Sequence, residues 1–297
     1  MKFQPAEQAT TPLDRAEYVE QEYFFRILRE RTQENVPIQE ALSQIREEIL
    51  ATTNLPLAID YLRAESLHGG RLNAAMHRIP HYFTPFQTFI VEHAESDTSR
   101  FDMAIALTVL ERLAGFLANQ PSPAGLFVYQ FECVSRNRLG YDQGLSAIAR
   151  DPYFNADWAE WIRRLSGRLG AADLADLIYF RSEDHRFRVR QRLQQPDWRP
   201  DYPLLFGQPE GRIARASRGK DPLYMFAALQ RQLGYPRVPR AQGRKDDKLS
   251  PAVEARLQRM EKRITLLEAE TKGTGIDLSE FIRRDDPKPP DQPPTSA

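Results

Sequence analysis

Cysteine is almost missing from this sequence: Cys133 is the only one, which excludes a disulfide within the chain and any paired-cysteine metal site. Beside Phe131 it reads as a small buried hydrophobe, in keeping with a reducing compartment. Excess charge is missing as well. Lys+Arg and Asp+Glu both number 41, so no overall field draws the chain to nucleic acid or to an anionic membrane. Long apolar runs are also absent: a membrane span needs about 20 consecutive apolar residues, and the longest run goes only from Met103 to Leu110. The opening stretch MKFQPAEQATTPLDRAEY has no apolar core of a secretory signal. A soluble, cytoplasmic chain with no integral membrane segment is therefore expected. The Walker loop, the dinucleotide fingerprint and the nucleophile elbow are lacking too, so no enzyme is expected. A helical enzyme would need polar groups converging in a pocket, which spacing does not display.

Strand alternation with turn dipeptides is nearly absent, whereas apolar residues at i, i+3, i+4 spacing dominate the chain up to residue 190. The expected fold is all-α. An antiparallel six-helix bundle is read over residues 11–120, a second helical unit over 122–195 and an irregular basic arm with one helix over 196–249. A coiled-coil helix over 250–272 and a disordered, proline-rich tail over 273–297 complete the chain. The first helix is expected to open at Thr11-Pro12-Leu13-Asp14, with the hydroxyl as cap, and to present Val19, Tyr23, Phe24, Ile27 and Leu28. The second starts at Pro37, and the third runs from Leu55 to a Gly69-Gly70 exit. Pro80 separates the fourth from the fifth. Beyond the linker NQPSPAG, the stretch AADLADLIYFRSEDHRFRVRQRLQQ reads as one long helix.

Four groups of residues invite a functional reading. His77 and His81 have the spacing of a zinc helix, but Pro80 between them places the pair across a helix end and favours a corner. Residues 199–248 hold eleven Lys/Arg against five Asp/Glu. Within them Arg212, Arg215, Arg218 and Lys220 are spaced to dock a phosphate or an acidic partner, or simply to form a solvated loop. The first option makes the arm over 212–248 a nucleic-acid or anion-binding regulator, although the lack of interleaved aromatics speaks against nucleic acid. Trp158 and Trp161, one helical turn apart, belong in the core. Finally, Val253, Leu257, Met260, Ile264 and Leu267 alternate spacings of four and three. That seam fits either a parallel homodimer or a single amphipathic helix on its own core, and Arg256 and Arg263 opposite Glu261 and Glu268 favour the dimer.

Phe24, Phe25, Arg26 and Leu28, then Val36, Pro37 and Ile38, then Ala41 and Leu42 follow a recognisable order, and Gly69, Leu72, Ala75, Pro80 and Phe83 continue it without a gap. This pattern resembles the cytoplasmic helical domain of the F family of inner-membrane platform proteins from type II secretion and type IV pilus systems. Asn35 stands where the family has glycine, a mild change because asparagine tolerates left-handed backbone. The next signature departs further: Ala94 and Thr98 replace glycines around Glu95. The resemblance spans roughly residues 20–118. It implies a noncatalytic scaffold or adaptor, peripheral to the inner membrane through its partners, binding the assembly ATPase or the membrane platform. Some family members hold calcium near acidic helix ends, which marks Glu95 and Asp97 as the metal candidates. No other cofactor is implied. A weaker echo of AAMHRIPHYF appears in SAIARDPYF through Ala147, Ile148, Arg150, Pro152 and Phe154.

Overall fold

Apolar periodicity becomes thirteen α-helices in the computed structural model, which describes residues 11–67, 71–96, 101–168 and 173–240. Contacts divide the chain into a unit Met1–Gln242 and a unit Gly243–Ala297, and every described residue belongs to the first. Gly69, Asp97, the heptad seam Val253, Leu257, Met260, Ile264 and Leu267, and the proline-rich tail lie outside the described residues.

The first six helices are α1 (Arg15–Gln33), α2 (Ile38–Glu48), α3 (Leu55–Leu67), α4 (Leu72–Arg78), α5 (Pro85–Ala94) and α6 (Met103–Ala118). The longest two, α1 and α6, make the most extensive pairing, with α2 on α3 and α4 on α5. Two local expectations are corrected here. Asp14, not Thr11, is the N-cap of α1, and its side chain makes no capping bond. The buried face of α1 is Glu17, Tyr18, Gln21, Phe24, Phe25 and Leu28, while Val19 is 40% exposed. An apolar count misplaces that stripe because two of its buried members are polar. Glu17 accepts hydrogen bonds from the Asn54 backbone N–H at 2.7 Å, from Asn54 Nδ2 at 2.9 Å and from the Tyr82 hydroxyl at 2.8 Å. Gln21 Oε1 accepts from Gln87 Nε2 at 2.9 Å. Both Glu17 oxygens and Gln21 Oε1 are thus satisfied, while Gln21 Nε2 is buried without a partner among the described residues, so these polar groups fix which helices meet at some cost in stability.

The exit of α1 uses the asparagine noted in the sequence. Asn35 has φ 61, and the N–H of Val36 reaches back to the Arg31 carbonyl at 3.0 Å, closing the helix with a left-handed residue. Between α4 and α5 the chain turns through Pro80. Tyr82 and Phe83 are buried, and Thr84 caps α5 in a reciprocal box with Gln87.

Seven helices follow: α7 (Pro123–Asn137), α8 (Tyr141–Ala149), α9 (Ala156–Ser166), α10 (Leu174–Phe180), α11 (Glu183–Leu193), α12 (Gln208–Ala216) and α13 (Pro222–Leu233). The turn from α8 to α9 repeats the style of the α4–α5 turn: a proline, Pro152, then a buried aromatic, Phe154, then a capping side chain, Asn155, that accepts from the Trp158 N–H at 3.0 Å. Phe127, Trp158, Trp161 and Phe206 cluster, mostly edge to face with Phe127 and Trp158 tilted, and the Phe127 and Trp161 centroids are 4.9 Å apart. One hydrophobic cluster runs without interruption from Tyr18 to Val238.

Two longer expectations are also corrected. The single helix read across residues 171–195 is broken at Arg181–Ser182. There Ser182 caps α11 and pairs with Phe206 in an isolated parallel bridge, the N–H groups of Leu205 and Phe206 both donating to the Arg181 carbonyl at 2.8 and 3.1 Å. A serine followed by Glu183 and Asp184 is itself a helix-start signal, which the apolar period overrode. The arm is not irregular with one helix: it contains both α12 and α13 and is fixed to the core by buried Phe206, Tyr235 and Val238. Tyr235 donates to the Glu132 carboxylate at 2.5 Å.

Candidate functional site

The residues on which the resemblance noted in the sequence rests are mostly interior. Phe24, Phe25, Leu28, Leu72, Ala75 and Phe83 are all buried, with Phe25 and Phe83 centroids 6.5 Å apart. Arg26 lies outside, its guanidinium 5.3 Å from the Tyr23 ring centroid, and Pro37 holds the N-cap position of α2. These side chains define a corner and its packing, and they offer no reactive group to a ligand.

Glu95 has a structural use. One carboxylate oxygen accepts from the Leu72 N–H at 2.7 Å and the other from the Asn73 N–H at 3.0 Å, so Glu95 closes the start of α4 from the end of α5. Among the described residues no group of three or more His, Cys, Asp or Glu is placed to hold a metal ion. His77, in the last turn of α4, lines a groove of about 430 Å³ between α5 and α8, together with Glu92, Asp142 and Arg150. His81 stands exposed in the following turn.

The arm arginines are tied to carboxylates. Asp184, almost wholly buried, faces Arg188 at 3.1 Å, Arg215 at 3.3 Å and Arg212 at 3.7 Å. Three guanidiniums from α11 and α12 thus share one carboxylate. Arg218 pairs with Asp176 and lies 4.3 Å from the Tyr179 ring centroid. Lys220 is exposed.

A different group of arginines lines a cleft. Arg164, on the last turn of α9, and Arg168, just past it, face Arg181, which projects from the break between α10 and α11. With Phe180, Asp201 and Tyr202 they line a cleft of about 570 Å³. A recess of about 230 Å³ that includes Asp157, Glu160, Trp161 and Pro203 shares Arg164, Arg181, Asp201 and Tyr202 with it. Arg181 is held in place: its guanidinium lies 4.6 Å from the Tyr202 ring centroid, and Nη1 donates to the Pro203 carbonyl at 3.2 Å. Burial pushes its pKa below the ordinary arginine value; Tyr202 and Asp201 oppose that shift, while Arg164 and Arg168 add to it. Arg164 is paired with Glu160 at 2.7 Å. Among the described residues no carboxylate forms an ion pair with Arg168 or Arg181.

Sequence reading missed this cleft because its members come from three separated stretches and Arg181 sat inside an assumed helix. The available signal was the Ser182 helix start, which places Arg181 at a chain break. Comparison of the chain with protein-family models, with curated proteins and with solved structures finds no match.

Proposed function

We propose that the chain is a noncatalytic helical scaffold or adaptor of a secretion or pilus assembly, built on an antiparallel six-helix bundle like the platform's cytoplasmic domain. The reading is supported by one observation above the rest: the apolar residues of the resemblance, Phe24, Phe25, Leu28, Leu42, Leu72, Ala75 and Phe83, are all buried in one core, where the Phe25 ring on α1 meets Phe83 in the turn before α5. Asn35 adds to it by taking left-handed backbone at the position of the family glycine. No helix among the described residues is long and apolar enough to cross a membrane, so attachment to the inner membrane would run through partners, with the assembly ATPase or the membrane platform as the first candidates.

Affinity capture of the full chain from native lysate, with chemical crosslinking and mass spectrometry, tests this reading. Components of a secretion or pilus assembly are expected among the crosslinked proteins. Recovery of nucleic acid without any such protein would turn the choice to the second reading, an anion- or nucleic-acid-binding regulator. That reading is favoured by the surplus positive charge of Arg188, Arg212 and Arg215 around Asp184.

A further inference from the structure

Building on the scaffold reading, we propose that the cleft formed by Arg164, Arg168, Arg181, Phe180 and Tyr202 docks an acidic peptide segment of a partner protein, one with an aromatic or apolar side chain beside its carboxylates. Three guanidiniums converge there while only Arg164 has a carboxylate at ion-pair distance. Cations gathered in a half-buried groove repel one another, and an incoming carboxylate removes that cost and gains charge-assisted, two-pronged hydrogen bonds. Arg181 is oriented in advance by Tyr202 and by the Pro203 carbonyl, which lowers the ordering entropy lost on binding. The walls supply the apolar part of the recognition: Phe180 is 47% exposed at the cleft, and Trp161 borders the adjoining recess.

Shape and charge distribution select the class of occupant. The cleft and its recess adjoin through Arg164, Arg181, Asp201 and Tyr202 and are both open to one side, which suits an extended segment and does not enclose a small metabolite as ligand pockets usually do. Asp157, Glu160 and Asp201 line it together with the arginines. A uniformly charged phosphate backbone would meet those carboxylates, whereas a peptide can place its acids opposite the arginines alone.

The test uses the full chain and a fluorescein-labelled octapeptide alternating Glu and Tyr, with anisotropy read at low salt. Saturable binding is expected, weakened at least about tenfold by the Arg168→Gln/Arg181→Gln double variant and unchanged by Arg138→Gln/Arg231→Gln, which removes equal charge elsewhere. Arg168→Gln alone, whose side chain has no partner among the described residues to lose, is expected to weaken binding while leaving the thermal midpoint unmoved. The proposal is overturned by an absence of saturable binding, by an equal loss in the control variant, by equal affinity for a Lys–Tyr octapeptide, or by tighter binding of oligo(U) RNA through the same arginines. Lysate capture of assembly proteins that persists without any peptide binding would remove the groove and leave the scaffold reading standing. Peptide binding without any captured assembly protein would do the reverse, removing the secretion or pilus assignment and retaining the groove.

Discussion

Asp151 is a buried carboxylate whose environment disfavours its charge. It accepts from Gln130 Nε2 at 2.9 Å and from the Tyr153 N–H at 3.1 Å, and among the described residues no cation forms an ion pair with it. Gln130 Oε1, also buried, has no partner among the described residues. Burial raises the Asp151 pKa and outweighs those two hydrogen bonds, which lower it. A carboxyl whose folded-state pKa lies above its unfolded value stabilises the fold fully below the unfolded value, about 3.9. That contribution fades as pH rises through the folded value. Asp151→Asn removes the charge and keeps the shape. Urea midpoints of the two proteins are expected to agree near pH 4 and to diverge as pH rises, the asparagine variant being the more stable at pH 7. A wild type that stays the more stable at pH 7 would show that the ionised carboxylate is well accommodated. Tyr18 follows the same physics, pushed up to about 12 mainly by burial.

At the scale of elements, the contact between α11 and α12 depends on a missing side chain. A Cβ built at Gly211 would stand 2.6 Å from Ser182 Cβ and 2.8 Å from Asp184 Cβ, against the backbone-proximal atoms of the residues that start α11. Gly211→Ala is expected to lower stability by about 1–3 kcal/mol, the usual range for overpacking, while Gly167→Ala, with open space around it, is expected to be nearly neutral. Thermal unfolding of the pair reads the difference. Elements were legible where a cap, a proline and an apolar period agreed. Leu55–Leu67 is helix α3 with the bounds read from its sequence, and α5 opens at Thr84-Pro85 as its residues indicate. They were illegible where a local start signal sat inside a longer period, as at Ser182, or where polar residues occupied the core face, as with Glu17 and Gln21 on α1. The arginine cleft depends on both kinds of information. Its residues are ordinary in sequence, and only the break after Phe180 brings Arg181 to the end of α9.

For the whole molecule, the all-α architecture followed from periodicity, because thirteen helices without a β-strand among the described residues are what such spacing encodes. Long-range order was harder to read. The continuity of the core from Tyr18 to Val238 depends on contacts such as α5 on α8 and α13 on α7, which join stretches far apart in sequence and leave no local trace. Oligomeric state belongs to this scale. If the seam from Val253 to Leu267 joins two copies in parallel, Leu257→Lys/Ile264→Lys is expected to sediment at half the native mass with unchanged helical content. An unaltered mass would dismiss the dimer. Cys133 has a practical consequence for all of these measurements. It is fully buried on α7, and burial pushes its thiol well above the ordinary cysteine range. The native protein is thus expected to react only slowly with thiol reagents, so a cysteine installed at the rim of the groove would be the fast label site. Slow modification of Cys133 itself would time the opening of the helices around it.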